Sequence, residues 1–134
     1  MKTSSRLWMQ FSVAVLGLSL ATQGGAAAVT RPTAGVYEVY TKQAFDAAQS
    51  RQRVLFFHAT WCPTCKQTNA DIVSHLKSIP ANLVIFKTDY DSETALKRQY
   101  GITYQHTFVL VDASGKALKK WAGGDLAEIV ANVK

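Results

Sequence analysis

Apolar and polar residues along the chain alternate between short strand-like runs and longer helical patterns. Three runs of mainly apolar, β-branched and aromatic residues are typical of buried strands. They are Val54–His58, Leu83–Thr88 and Thr107–Val111. Two further strands are predicted at Val36–Tyr40 and Lys116–Trp121. The turn-forming residues 112–115 before the last strand predict a β-hairpin.

Four helices are predicted between and after these strands. They run from Thr41 to about Ser50, from Cys62 to about Ser78, from Asp91 or Ser92 to about Tyr100, and from Asp125 to the chain end. Thr and Asp are good N-cap residues, and Gly101 and Pro80 are helix stops. Strands that alternate with helices and end in a hairpin predict an α/β fold. We expect a central mixed sheet of about five strands, covered on both faces by about four helices.

The first residues predict a segment for export. Two basic residues precede the apolar stretch Leu7–Leu20, and small residues follow up to Ala28. This order is typical of a secretory signal peptide, with cleavage after Ala28. An uncleaved membrane anchor is less favoured, because the apolar stretch is shorter than the about 20 residues that a spanning helix needs. We predict a signal peptide over 1–28, a domain over 29–134 and a periplasmic location, with a eukaryotic secretory route left open.

Composition and charge fit one ordinary globular domain. The 134 residues are 48% hydrophobic and 18% charged, with a formal net charge of +6, which excludes a disordered or collagen-like chain. Part of that charge lies in the predicted signal peptide, and the rest is spread without a long basic run. This pattern argues for a solvated surface and against nucleic-acid binding. We expect a monomer that has no membrane contact after cleavage.

The chain has two cysteines, Cys62 and Cys65, with Pro63 and Thr64 between them. They follow a predicted buried strand and open a predicted helix. This spacing brings both sulfurs onto one helical face, and the helix N-terminus favours a thiolate on Cys62. A structural disulfide that closes so short a loop adds little stability. We therefore predict a reactive dithiol, in which Cys62 is the more exposed nucleophile and Cys65 the more buried resolving thiol.

This arrangement resembles the thioredoxin family, whose active site is a Trp-Cys-x-x-Cys motif between a strand and a helix. The motif here is Trp61–Cys65, and Phe86–Asp91 and Tyr100–Ile102 resemble further family segments. The resemblance covers residues 36–134 and implies a thioredoxin-like fold with thiol–disulfide oxidoreductase activity on protein disulfides or dithiols. It also implies that no nucleotide or metal cofactor is needed and that an external redox partner recycles the Cys62–Cys65 disulfide.

The resemblance further implies a docking surface for the substrate peptide beside the cysteines. The side chains expected there are Trp61, Pro63, Tyr104, Gln105 and Thr107. The family's loop binds its partner by short strand-like pairing, which is expected here for the Gln105 backbone.

Three positions depart from the family pattern. Phe56 replaces a buried aspartate, so the proton of the buried thiol must move through water, Lys87 or a histidine. His106 replaces the family's cis-proline, and we expect a trans bond before it because a cis bond without proline costs about 2.5–4 kcal/mol. We expect His106 to face Cys62 and to stabilise its thiolate or shuttle a proton, the alternative being a loop histidine without a role. His58 either adds positive charge or fills space.

Thr64 is neutral, so less positive charge stabilises the thiolate than in relatives with a histidine there. Unless His106 or His58 compensates, this predicts a reductant rather than a strong oxidant. The alternative is a copper(I)- or metal-handling protein, in which Cys62, Cys65 and His106 form a soft site. A structural zinc site is disfavoured, because the sequence has no second cysteine pair.

Overall fold

The computed structural model describes Gly25 and residues 33–134 of the chain. The predicted signal peptide, apart from Gly25, and residues 29–32 of the predicted domain lie outside the described residues. The strands are β1 (Val36–Val39), β2 (Gln52–His58), β3 (Leu83–Asp89), β4 (Thr107–Val111) and β5 (Ala117–Ala122). The helices are α1 (Lys42–Ala47), α2 (Pro63–Ser74), α3 (Thr94–Tyr100) and α4 (Leu126–Asn132). None of these four helices has the length and apolar character of a membrane span.

The five strands form one mixed sheet in the order β1-β3-β2-β4-β5. β1, β3 and β2 are parallel, whereas β4 runs antiparallel to β2 and forms a hairpin with β5. One face of the sheet packs against α2 and α4 and includes Phe56 and Phe108. The other face packs against α1 and α3 and includes Leu55 and Phe57. The predicted mixed sheet with helices on both faces is confirmed.

The predicted N-caps of the first and last helices are confirmed. Thr41 Oγ1 accepts a hydrogen bond from the Ala44 N–H at 3.1 Å, and Asp125 Oδ1 accepts one from the Glu128 N–H at 3.0 Å. α2 ends at Ser74, earlier than predicted, and a 3₁₀ turn follows it.

The predicted cap of the third helix, Asp91 or Ser92, is wrong, since α3 begins only at Thr94. The carboxylate that organises this turn is Asp89, at the end of β3. It accepts hydrogen bonds from both the N–H and the hydroxyl of Ser92, each at 2.7 Å. These hydrogen bonds lower the pKa of Asp89. Asp89, the last residue of β3, therefore stabilises the turn between β3 and α3. The helix begins after this turn, at Thr94.

Arg53 departs from the expected solvated basic surface, because its side chain is only 1% exposed. Its guanidinium donates to the Phe45 carbonyl at 2.9 Å, to the Asp112 carbonyl and to the Ala113 carbonyl. It also lies 4.1 Å from the centroid of the Phe45 ring. Arg53 thus joins α1 and the β4–β5 turn to the start of β2.

β5 forms one edge of the sheet and is largely exposed to solvent. It carries Lys119 and Lys120 next to each other. The Lys120 ammonium donates to the carbonyls of Tyr100 and Gly101 at 3.2 and 3.1 Å, where α3 ends. Gly101 adopts a left-handed conformation with φ 62°, as the predicted helix stop requires. The edge strand is therefore attached to α3 through a lysine.

Candidate active site

Cys62 and Cys65 form a disulfide at the first turn of α2, with their Cα atoms 5.2 Å apart. Cys62 is the N-cap of the helix, and its Sγ accepts a hydrogen bond from the Cys65 N–H at 3.2 Å. Pro63 occupies the first helical position, where no N–H is needed. The Thr64 hydroxyl lies 3.4 Å from Cys62 Sγ. Two neutral donor groups therefore face the sulfur that would carry the thiolate.

Both cysteines are buried in this oxidised state, with 1% exposure for Cys62 and 0% for Cys65. Cys62 is predicted to be the more exposed of the two, and in the disulfide form this difference is slight. The reason is that Cys62 packs into the same apolar cluster as Phe56 and Ala59. A partner therefore first meets the exposed side chains around the disulfide.

The side chains predicted to dock the substrate differ in exposure. Trp61 and Tyr104 are each 55% exposed, and Pro63 is exposed as well. The Trp61 indole N–H donates to Asp91 Oδ2 at 3.0 Å, which fixes the ring. Within the described residues, no hydrogen bond uses the backbone of Gln105. Exposed aromatic surface and unpaired backbone groups are thus both present among the residues predicted for docking.

Thr107 has a supporting position instead. It is buried, and its hydroxyl donates to the Tyr104 carbonyl at 3.0 Å. The Thr107 side chain therefore stabilises the loop that carries Tyr104. Because it is buried, a substrate would not contact it directly.

Tyr90 links the motif to the loop, and sequence reasoning missed it. Its ring packs edge-on against Trp61 at a centroid distance of 6.4 Å. Its hydroxyl donates to the Thr103 carbonyl at 3.1 Å, and the Lys97 ammonium lies 4.1 Å from the ring centroid. The only signal in the sequence was an aromatic residue directly after a buried strand.

Phe56 is the first ring of an aromatic stack beneath the site. It is fully buried, lies 4.6 Å from the Phe108 ring, and Phe108 lies 5.4 Å from the Trp121 ring, each pair inclined by 14°. The stack connects β2, β4 and β5. A charged carboxylate at position 56 would lose its hydration here, so the apolar residue fits its surroundings.

His58 is 8% exposed and packs edge-on against Phe56 at 5.5 Å between ring centroids. Burial, and to a lesser degree the charge of Lys87, lowers the pKa of His58. The ring is therefore neutral at neutral pH. This favours the space-filling interpretation of His58 over the positive charge.

Lys87 extends over the face that carries α2. Its ammonium lies 3.5 Å from Asn69 Oδ1, which also accepts a hydrogen bond from the Tyr37 hydroxyl at 2.8 Å. Burial raises the pKa of Tyr37. Asn69 and Tyr37 were not predicted, because their contact joins residues far apart in the sequence.

The peptide bond before His106 is trans, as expected, and the described residues contain no cis bond. His106 Nε2 lies 3.0 Å from Thr68 Oγ1 and 3.3 Å from the Gly124 carbonyl. The edge of the ring that carries Nε2 therefore faces α2 and the β5–α4 junction. The sequence predicts that His106 faces Cys62; its Nε2 edge instead contacts Thr68 and Gly124, and a role of the ring at the Cys62 thiolate stays a prediction.

The copper(I) alternative needs Cys62, Cys65 and His106 to come together as free ligands. Among Gly25 and residues 33–134, no three His, Cys, Asp or Glu side chains are grouped so that they could hold a metal ion. The sulfurs of Cys62 and Cys65 are bonded to each other, and His106 Nε2 has partners elsewhere. In the disulfide form these three residues do not form the three-ligand site, and copper(I) binding by the reduced dithiol stays a prediction.

Comparison with known proteins identifies the family. The sequence model of the Thioredoxin family matches residues 36–134. The chain belongs to the thioredoxin family. Thioredoxin-1 of Drosophila melanogaster is 31% identical to this thioredoxin-family chain over 80 residues, which are 60% of this chain and 74% of the relative. Thioredoxin H4 of Arabidopsis thaliana is 26% identical over 97 residues, or 72% of this chain and 81% of the relative.

A solved structure agrees with this assignment. Trxlp from Edwardsiella tarda EIB202 matches with a TM-score of 0.59 and 26% identity, covering 72% of this chain and 96% of that protein. With the Cys62–Cys65 disulfide at the start of α2, this thioredoxin-family chain is a thiol–disulfide oxidoreductase. The expected fold and class of activity are confirmed.

Proposed function

We propose that the chain is an exported protein-disulfide reductase of the bacterial envelope, with Cys62 as nucleophile and Cys65 as resolving thiol. The observation that supports this proposal is the set of donors around Cys62 Sγ, which are the Cys65 N–H at 3.2 Å and the Thr64 hydroxyl at 3.4 Å. Neutral donors stabilise a thiolate less than a neighbouring cation does. The dithiol is then not strongly favoured over the disulfide, so the pair readily gives up electrons.

The reaction consists of two exchange steps. The Cys62 thiolate attacks one sulfur of the substrate disulfide, a mixed disulfide forms, and the other substrate sulfur leaves as a thiolate. Cys65 then loses its proton and attacks Cys62 Sγ, and the second substrate sulfur leaves. Two electrons have passed to the substrate, and the Cys62–Cys65 disulfide has formed. An external two-electron donor must reduce this disulfide before the next cycle.

The proton that Cys65 loses needs an acceptor, and the neutral Phe56 does not supply one. Water is one route. The imidazole of His58 is the second, because a neutral ring can accept a proton, although its lowered pKa makes it a weaker base. Lys87 lies on the same face as Phe56, since the two residues are register partners on β2 and β3, but its ammonium already carries a proton and cannot accept another.

The substrate peptide docks across the exposed rim of the disulfide. Trp61 and Tyr104 offer aromatic surface, and Pro63, the first residue of α2, is exposed as well. The Gln105 N–H and carbonyl pair with the backbone of an extended peptide. This arrangement selects partners whose disulfide lies in an accessible, extended segment.

Export to the envelope is supported by the start of the sequence, where a basic beginning, the apolar stretch Leu7–Leu20 and small residues up to Ala28 follow one another. We expect mass spectrometry of the protein recovered from the envelope to find a mature N-terminus at Val29. An intact N-terminus in the membrane fraction would contradict this part of the proposal.

The reduction potential of the Cys62–Cys65 pair tests the proposed direction. We expect a value closer to the about −270 mV of a reductant than to the about −120 mV of a strong oxidant. The reduced protein should also precipitate insulin by reducing its disulfides. Cys62→Ser should abolish this activity, and Cys65→Ser should trap the mixed disulfide. A strongly oxidising potential without insulin reduction would overturn the reductant assignment.

A further inference from the structure

Three elements of the fold meet at the side chain of His106. Nε2 lies 3.0 Å from the hydroxyl of Thr68 in α2 and 3.3 Å from the carbonyl of Gly124, before α4. The Thr68 hydroxyl itself lies 2.7 Å from the same carbonyl. The three groups form a closed triangle, which we call the His106 triangle. Thr68 is one helical turn beyond Cys65, so the triangle touches the helix that carries the dithiol.

The hydrogen-bonding pattern of this triangle determines which ring nitrogen carries the proton. The Gly124 carbonyl can only accept, and Thr68 has one hydroxyl proton, which it donates to that carbonyl. Nε2 must therefore donate to satisfy its contacts with both oxygens. The neutral ring is the Nε2–H form, and its free lone pair is on Nδ1. His106 thus serves as a donor at Nε2, which removes this nitrogen from any proton transfer.

The backbone of His106 is held in a conformation that few residues adopt. Its φ is 57°, the only positive φ of a non-glycine residue among those described, in the left-handed region that few non-glycine residues adopt and that histidine adopts more often than most. The N–H donates to the Phe57 carbonyl and the carbonyl accepts from the Gly123 N–H, each at 2.8 Å. His106 directly precedes β4, so the chain turns here from the loop into the sheet. Gln105, the next residue outward, keeps its backbone groups unpaired within the described residues.

We propose that His106 is a positioning residue for substrate docking. Its imidazole attaches the loop 104–107 to α2 and to the β5–α4 junction, and it thereby holds the turn that presents the Gln105 backbone to an extended peptide. This inference rests on the proposed disulfide reductase function. In this chain a donor side chain and a left-handed turn do the work for which the family uses a proline with a fixed negative φ.

The test compares two substrates that differ in backbone. The reduced protein is mixed with increasing amounts of a peptide that contains one disulfide, or with 5,5′-dithiobis(2-nitrobenzoic acid), which has no peptide backbone to pair. His106→Leu keeps apolar bulk but lacks the donor, whereas His106→Gln keeps an N–H donor at the end of its side chain. Thr68→Val removes the partner hydroxyl with little change of shape.

We expect His106→Leu to raise the half-saturating peptide concentration about tenfold, the effect of one to two hydrogen bonds, with a maximal rate within about twofold. Reaction with the small disulfide should change less than about twofold. The variant His106→Gln should restore most of the affinity for the peptide.

Thr68→Val should weaken peptide binding similarly. The double variant Thr68→Val/His106→Leu should bind the peptide no more weakly than His106→Leu, because both changes break the same hydrogen-bonded triangle. Ring ¹⁵N shifts of the parent should show Nε2 protonated.

An unchanged half-saturating concentration in His106→Leu and Thr68→Val, with an active parent, would overturn the positioning role alone. Equal losses with both substrates would also overturn it, because the effect would then lie at the dithiol. If His106→Leu does not fold, Thr68→Val and His106→Gln provide the same comparison. A parent that reduces neither substrate would overturn the reductase function, and the docking role with it.

Discussion

The variant Phe56→Asp is expected to destabilise the oxidised protein, and to do so far more at pH 8 than at pH 4. Phe56 is 0% exposed and lies 4.6 Å from Phe108 in the aromatic stack. Loss of a buried aromatic side chain costs about 3–5 kcal/mol at any pH. The charge of the new carboxylate adds a second cost, which depends on pH.

This second cost follows from the difference in pKa between the two states. A carboxyl has a pKa of about 4 in the unfolded chain, and burial in such a site raises it to about 7. Because the folded state then binds the proton more tightly, the extra cost is absent below about pH 4 and grows until the pH exceeds about 7. The difference of about three pH units between the two pKa values corresponds to about 4 kcal/mol of free energy of unfolding. Lys87, the register partner of Phe56 on β3, offsets part of it.

Guanidinium denaturation of the oxidised protein between pH 4 and pH 8 measures both costs. Phe56→Asn is the matched control, because it has nearly the same shape as the aspartate variant and cannot ionise. The two variants should be equally stable near pH 4 and should differ by up to about 4 kcal/mol at pH 8, where the aspartate variant unfolds first. Equal stability over the whole range would refute the reasoning, since it would mean that the carboxylate is hydrated or fully compensated.

Two further predictions concern the charge around the dithiol and the far end of β2. Thr64→His places an imidazolium near Cys62 Sγ, and we expect the reduction potential to rise by about 30 mV or more, measured by equilibration with glutathione. An unchanged potential would contradict the role given to the neutral Thr64. Arg53→Lys should lower the free energy of unfolding by about 3 kcal/mol, because one ammonium cannot reach the carbonyls of both Phe45 and Asp112. Its reduction potential should stay at the parent value, and a shifted potential would show that Arg53 acts on the site.

The sequence was sufficient to predict the elements of the fold, because their signals are local. Val54–His58 is an apolar, β-prone run, and it forms the C-terminal part of β2. The position of Cys62 at the start of α2 follows from the strand before it and from Pro63, which suits a first helical turn.

Contacts between distant segments could not be predicted in the same way. The expected orientation of His106 depended on a family loop with proline, whereas its actual partners, Thr68 and Gly124, are brought to it by α2 and the β5–α4 junction. Arg53 resembles any surface arginine in the sequence. Only the fold shows the carbonyls that surround it, and the pattern of apolar positions does not encode where a loop's carbonyls point.

The lysines of β5 have a consequence for the behaviour of the protein at high concentration. An open edge strand offers unpaired N–H and carbonyl groups to a second chain, and charged side chains on that edge prevent two copies from joining there. Lys119 and Lys120 supply such charges on β5, and Lys120 is also anchored to the end of α3. The addition of a strand from a second chain to β5 is therefore disfavoured. In the proposed function the reductase would meet unfolded, disulfide-bearing chains, and Lys119 and Lys120 keep β5 from serving as a template for their aggregation.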